Sequence, residues 1–137
     1  ESLQFDKDIA YDISSDQTQQ LPAMKVKRRA HRLLYSSTRQ SLYAIGGHRG
    51  STRGYLNDLE VCHYYGSKPG SYTPWKSILR RMKEMRANFG ACLYAKNDEV
   101  DSHLIASGGW KIELRSALKS AEMYSFEQQE WIQIADM

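Results

Sequence analysis

The chain has 137 residues and 15.8 kDa, with 41% hydrophobic and 26% charged residues, the proportions of an ordinary folded domain. No apolar run reaches the roughly 20 residues that cross a bilayer, and the start, Glu1-Ser2-Leu3-Gln4, has neither an initiator Met nor the charged-then-apolar pattern of a secretory signal; a longer or processed polypeptide is expected. A net charge of +3 excludes little, whereas nine Tyr and three Trp without long Leu- or Ala-rich segments favour β structure.

In chain order, Asp8–Ile13 and Gln19–Met24 read as a pair of strands. Arg29–Ser36, Ser41–Gly47, Asn57–Tyr64 and Thr73–Leu79 follow, with Met82 beyond the last. The same order then returns as Arg86–Ala95, Ser102–Gly109, Ser120–Phe126 and Trp131–Met137. The anchor of this alignment is the apolar run Leu42-Tyr43-Ala44-Ile45 stopped by Gly46-Gly47, echoed by Leu104-Ile105-Ala106-Ser107 before Gly108-Gly109, an offset of 62 (108 − 46). Two such echoes, each followed by a similar series of elements, predict an internal repeat.

One stretch supports a competing reading. Trp75, Ile78, Leu79, Met82, Met85 and Phe89 fall near i, i+3, i+4, i+7 spacing with Lys76, Arg80, Arg81, Lys83 and Arg86 between them, the pattern of a basic amphipathic helix. Trp75 and Trp131 hold the same place in the two units, however, and Trp131-Ile132-Gln133-Ile134 alternates as a strand does, so a strand is predicted at both, with room for a short helical turn over 80–84. Cys62 and Cys92 lie in apolar strand-like surroundings without metal-ligand spacing and read as reduced core residues rather than a disulfide.

These features resemble the kelch repeat of β-propellers: an Arg opening the first strand, an apolar run ending in Gly-Gly, a Tyr on the third strand, a Trp on the fourth, and a closing Met. The residues that carry the resemblance are Arg29, Gly46, Gly47, Trp75 and Met82 in one unit, and Arg86, Gly108, Gly109, Tyr124, Trp131 and Met137 in the other. Cys62 stands where Tyr is usual. The resemblance implies an all-β fold of four-stranded antiparallel blades in an incomplete ring. Residues 1–24 would end a preceding blade, 25–85 form a first complete unit, and 86–137 a second. Because closed propellers have four to eight blades, further blades of the same protein or other copies are expected to complete the ring.

In antiparallel blades the loops joining strands two to three and four to one emerge on one side. That side collects Lys25, Lys27, Arg28 and Arg29, then His48, Arg49 and Arg53, then Arg80, Arg81, Lys83 and Arg86, then Lys111, Arg115 and Lys119, with Glu84 and Glu113 as the main exceptions. The opposite loops are mostly acidic, with Arg39, Lys68 and Lys96 against the trend. Clustered positive charge favours carboxylate or phosphate partners. By the kelch resemblance, Ala30, His31, Ala87 and Asn88 would line the central opening, and His48, Arg49, Trp110 and Lys111 would project from the loops after the double glycines. Arg29 and Arg86 read as residues bonding nearby backbone carbonyls, and Trp75 and Trp131 as packing residues.

The partner-binding candidates are therefore His31, His48, Arg49, Arg53, Asn88, Trp110 and Lys111. Four His without metal spacing, no Gly-x-Ser-x-Gly elbow and no phosphate loop give no sign of catalysis or of a cofactor. The expected role is recognition of another protein, in the cytoplasm, through an acidic or phosphorylated segment, as in kelch adaptors that present substrates to ubiquitin ligases. The alternatives are part of a sugar-active kelch enzyme, of oxidase or mutarotase type, and a structural blade inside a large complex. Nucleic acid is disfavoured, since aromatic residues are not interleaved with the basic loops beyond Trp110.

Overall fold

A computed structural model describes residues 9–12, 17–50, 54–66, 71–97, 99–111 and 115–136. The described residues form strands and no helix. Strands β1 (Ile9–Asp12) and β2 (Gln17–Gln20) pair as an antiparallel hairpin. Strands β3 (Arg32–Ser36), β4 (Ser41–Ile45), β5 (Leu59–His63) and β6 (Lys76–Ile78) make an antiparallel meander in the order β3-β4-β5-β6. A second meander repeats it with β7 (Gly90–Tyr94), β8 (His103–Ser107), β11 (Ser120–Ser125) and β12 (Glu130–Asp136). Between β8 and β11, the short strands β9 (Trp110–Lys111) and β10 (Ser116–Ala117) form a two-stranded ribbon. The chain is thus all-β, built of four-stranded antiparallel sheets that do not close on themselves.

The sheets pack on one another, and period-2 alternation sorts the side chains between the layers. In β4, Leu42 and Ala44 join Leu21, Met24, Cys62 and Trp75 on one face. Tyr43 and Ile45 join Leu59, Val61 and Met82 on the other, against Phe89, Leu104, Ala106 and Tyr124 of the second unit. Every residue of β4 is therefore buried, whereas β8 buries only Leu104 and Ala106. The first sheet is covered on both faces and the second on one. Cys92, Ile105, Met123 and Ile132 stand opposite one another in successive strands, so they share the second sheet's outer face, where Cys92, Ile132 and Ile134 are exposed.

The double glycines are where the units meet. Gly46 and Gly47 have φ of 56° and 92°, and Gly108 and Gly109 have 64° and 97°, conformations that a Cβ disfavours. The Gly47 N–H donates to the Arg86 carbonyl at 2.8 Å, and a Cβ on Gly46 would lie 2.7 Å from that same oxygen. The glycines serve the close approach of neighbouring backbone rather than a ligand.

Several boundaries differ from the sequence reading. First strands begin at Arg32 and Gly90, not at Arg29 and Arg86, because Ala30 and Asn88 adopt positive φ (53° and 51°) and break the extended run just before it. The fourth strand of the first unit is only Lys76–Ile78, and residues 79–84 run on without the helical turn considered for 80–84. The leading hairpin ends at Gln20, after which Leu21 and Met24 are buried as linker residues. Cys62 is a core residue, but Cys92 is exposed on the outer face of β7, where none of the described residues covers it; the two are free thiols. Arg53 and Met137 lie outside the described residues.

Candidate partner-binding face

Two buried ion pairs tie the linkers to the sheets. Arg28 Nη2 donates to Glu60 Oε2, and Nη1 and Nη2 donate to the two Asp58 carboxylate oxygens at 3.0 and 2.9 Å. Arg86 Nη2 donates to Glu122 Oε2 at 2.7 Å, and its guanidinium donates to Ser120 O and Oγ, each at 3.1 Å. Each arginine also donates to the first glycine's carbonyl, Gly46 O at 2.9 Å and Gly108 O at 2.8 Å. The carboxylates complete the set by accepting backbone N–H groups, Lys25 on Glu60 at 2.9 Å and Lys83 on Glu122 at 2.6 Å. A buried charge is tolerated only when so paired.

The residue equivalent to Arg86 is therefore Arg28, and the sequence alignment through Arg29 was one position late. Arg29 instead corresponds to Ala87: it bridges to His48 as Ala87 bridges to Trp110. Glu60, Glu122 and Asp58 were not anticipated at all. Met24 and Met82 held the signal, since counting four residues on from each gives Arg28 and Arg86, while Glu60 and Glu122 share the 62-residue offset (122 − 60) of the glycines. With Arg28 and Arg86 neutralised inside, neither contributes to a basic surface.

His48 follows Gly47 and stacks on Tyr55, with ring centroids 5.3 Å apart and 14° between planes. Arg29 Nε lies 3.2 Å from His48 Nε2, and the Gly50 N–H is 3.1 Å from Nδ1. A neutral ring has one acceptor nitrogen, so His48 accepts from only one of these two donors at a time. Partial burial, and then the Arg29 charge, hold its pKa below the usual 6.5.

Arg49 is exposed, and with Lys25, Val26 and Lys27 it lines a hollow of about 320 Å³. Beside it, a groove of about 480 Å³ takes Arg49 and Arg81 together with Leu56, Ile78 and Met85. His31 is half-buried against Gly47, in the place that Phe89 fills in the next unit. Asn88 is exposed, and its N–H donates to Ala30 O at 3.0 Å, joining the units. Trp110, 40% exposed, and Lys111 form β9; Lys111 Nζ pairs with Glu84 at 3.1 Å. The structure thus gathers Lys25, Lys27 and Arg49 around one hollow, with Trp110 and Lys111 outside its lining.

Among the described residues, no group of three or more His, Cys, Asp or Glu side chains is placed to hold a metal ion, and no helix is long and apolar enough to cross a membrane. No protein-family model matches the chain, and no curated protein sequence matches it.

Proposed function

We propose that this chain is a segment of a kelch-type β-propeller that works in the cytoplasm as a protein-recognition module, its basic loops taking an acidic or phosphorylated segment of a partner. The observation that carries the reading is the hollow of about 320 Å³ lined by Lys25, Lys27 and Arg49. Three cations around one concavity suit charge-assisted hydrogen bonds to carboxylate or phosphate. The kelch reading is supported by two units that repeat strand order, double glycines and a buried Arg–Glu pair. Further blades would cover the outer face of the second sheet, as that sheet covers the equivalent face of the first. An adaptor role, including presentation of substrates to a ubiquitin ligase, fits this reading.

The test replaces Lys25, Lys27 and Arg49 together by Ser and measures anisotropy of a labelled Glu-rich peptide and of its phosphoserine counterpart at two salt concentrations. The expected result is wild-type affinity that falls with salt, and a loss of about tenfold or more in the variant. Salt-insensitive binding, or equal binding by the variant, excludes the reading.

A further inference from the structure

Arg39 is one of the cations, with Lys68 and Lys96, that the charge pattern places on the otherwise acidic side of the chain. Its guanidinium carbon lies 4.1 Å from the centroid of the Phe126 ring, in the other unit, and its Nε donates to the Asp101 carbonyl. An exposed arginine is thereby held between the two sheets instead of sweeping through solvent. The ring and the carbonyl together hold the guanidinium in place.

The same arginine lines a cleft of about 470 Å³ between the sheets, within the size range of ligand pockets. Its deep part is apolar and aromatic: Tyr43 and Tyr124 are buried, and Phe126 packs against both, with ring centroids 5.1 and 5.6 Å away. Its mouth is basic, with Arg39, His63 and Arg80 all exposed. His63 is held there by Ser41, whose Oγ lies 2.7 Å from Nδ1 and itself donates to the Arg39 carbonyl at 2.7 Å. Glu130 is the single carboxylate among the described lining residues.

We infer that this inter-sheet cleft is a binding site for an aromatic group that carries a phosphate or carboxylate. The ring would lie against Tyr43, Phe126 and Tyr124, where apolar surface is removed from water. The anion would stay at the mouth, within reach of two guanidinium forks. Ring and anion are needed together, because the apolar depth gives no charge selectivity and the mouth alone is open to solvent. The site lies apart from the Lys25, Lys27 and Arg49 hollow, with which it shares no lining residue, and does not depend on what that hollow binds.

The test titrates the full chain with phenyl phosphate, following amide and aromatic NMR shifts, with inorganic phosphate and p-cresol as the anion-only and ring-only probes. Phenyl phosphate is expected to bind saturably, shifting Tyr43, Phe126 and Tyr124, with at least about tenfold tighter binding than either partial probe. Arg80→Ser removes one mouth cation from an exposed position and is expected to weaken binding about fivefold or more. Arg39→Lys keeps the charge but loses the stacked fork, and is expected to weaken it too. A phosphotyrosine peptide distinguishes a free aromatic anion from a peptide-borne one: a peptide that competes with phenyl phosphate assigns the site to a protein partner, and one that is excluded assigns it to a small molecule. Non-saturable shifts, equal binding of inorganic phosphate, or wild-type affinity in Arg80→Ser would overturn the proposal. So would shifts that move to Lys27 and Arg49.

Discussion

Arg28 and Glu60 form an ion pair with both side chains wholly withdrawn from solvent, and Arg86 and Glu122 repeat it one unit later. Each pair fastens the linker entering a sheet to the third strand of that sheet. The two differ in their remaining partners. Arg28 has the second carboxylate of Asp58, where Arg86 has Ser120.

That difference predicts unequal costs. Glu122→Ala leaves the buried Arg86 charge without a carboxylate and is expected to destabilise by about 3 kcal/mol or more. Glu60→Ala leaves Arg28 its two bonds to Asp58 and is expected to cost less. Urea unfolding of both variants measures the order. Equal losses would mean that Asp58 gives no compensation.

The double glycines predict a second contrast. Gly109→Ala would place a Cβ 2.7 Å from Phe89 Cβ and 2.8 Å from the Ala87 carbonyl, at a φ of 97°; a loss of about 2 kcal/mol or more is expected. Gly90 has no positive φ, and its nearest neighbour to an added Cβ is the Ser107 hydroxyl oxygen at 3.1 Å. Gly90→Ala should cost much less in the same denaturation assay.

Strand order and the alternation of the faces were legible in the sequence because apolar period and glycine punctuation are local signals. The third-strand Glu60 and Glu122 were not, since a carboxylate between apolar neighbours reads as solvated unless its distant arginine is known. Arg28 was hidden by its neighbour: Arg28-Arg29 offers two candidates, which the spacing from Met24 and the positive φ of Ala30 separate. The inter-sheet cleft was equally out of reach, because Arg39 meets Phe126 across 87 residues (126 − 39) and two sheets. The equivalence of Trp75 and Trp131, by contrast, follows from repeat position alone: Trp131 pairs with Tyr124, and Trp75 stands just before β6 in the core cluster that holds Cys62.

Those two tryptophans give a third prediction. The Trp75 indole N–H donates to the Pro22 carbonyl at 2.8 Å, while Trp131 Nε1 is buried with no hydrogen-bond partner among the described residues. Replacement by Phe removes similar volume from each. Trp75→Phe also leaves the Pro22 carbonyl without its donor, so it should cost about 1 kcal/mol more than Trp131→Phe. Chemical denaturation of the two single variants checks the difference.

The two thiols predict a fourth. Cys62 is buried, its Sγ–H donates to Thr73 O at 3.0 Å, and burial pushes its pKa up to about 11. Cys92 is exposed on β7. Because the thiolate is the reacting species, N-ethylmaleimide at neutral pH is expected to label Cys92 alone in the folded chain and both thiols after denaturation. Mass mapping of the labelled peptides reads the outcome, and native labelling of Cys62 would contradict its burial.

His48 gives the last. Its pKa lies below 6.5 in the folded chain, from partial burial first and the Arg29 charge second. A histidine with a depressed folded pKa binds its proton more readily when unfolded. Its contribution to stability is therefore fully present above pH 6.5 and is lost as pH falls from there through the lower folded value. NMR titration of the His48 ring should give a midpoint below 6.5. Arg29→Gln removes the neighbouring charge and should raise that midpoint without restoring it fully, since burial against Tyr55 remains. A midpoint unmoved by Arg29→Gln would leave burial as the whole cause.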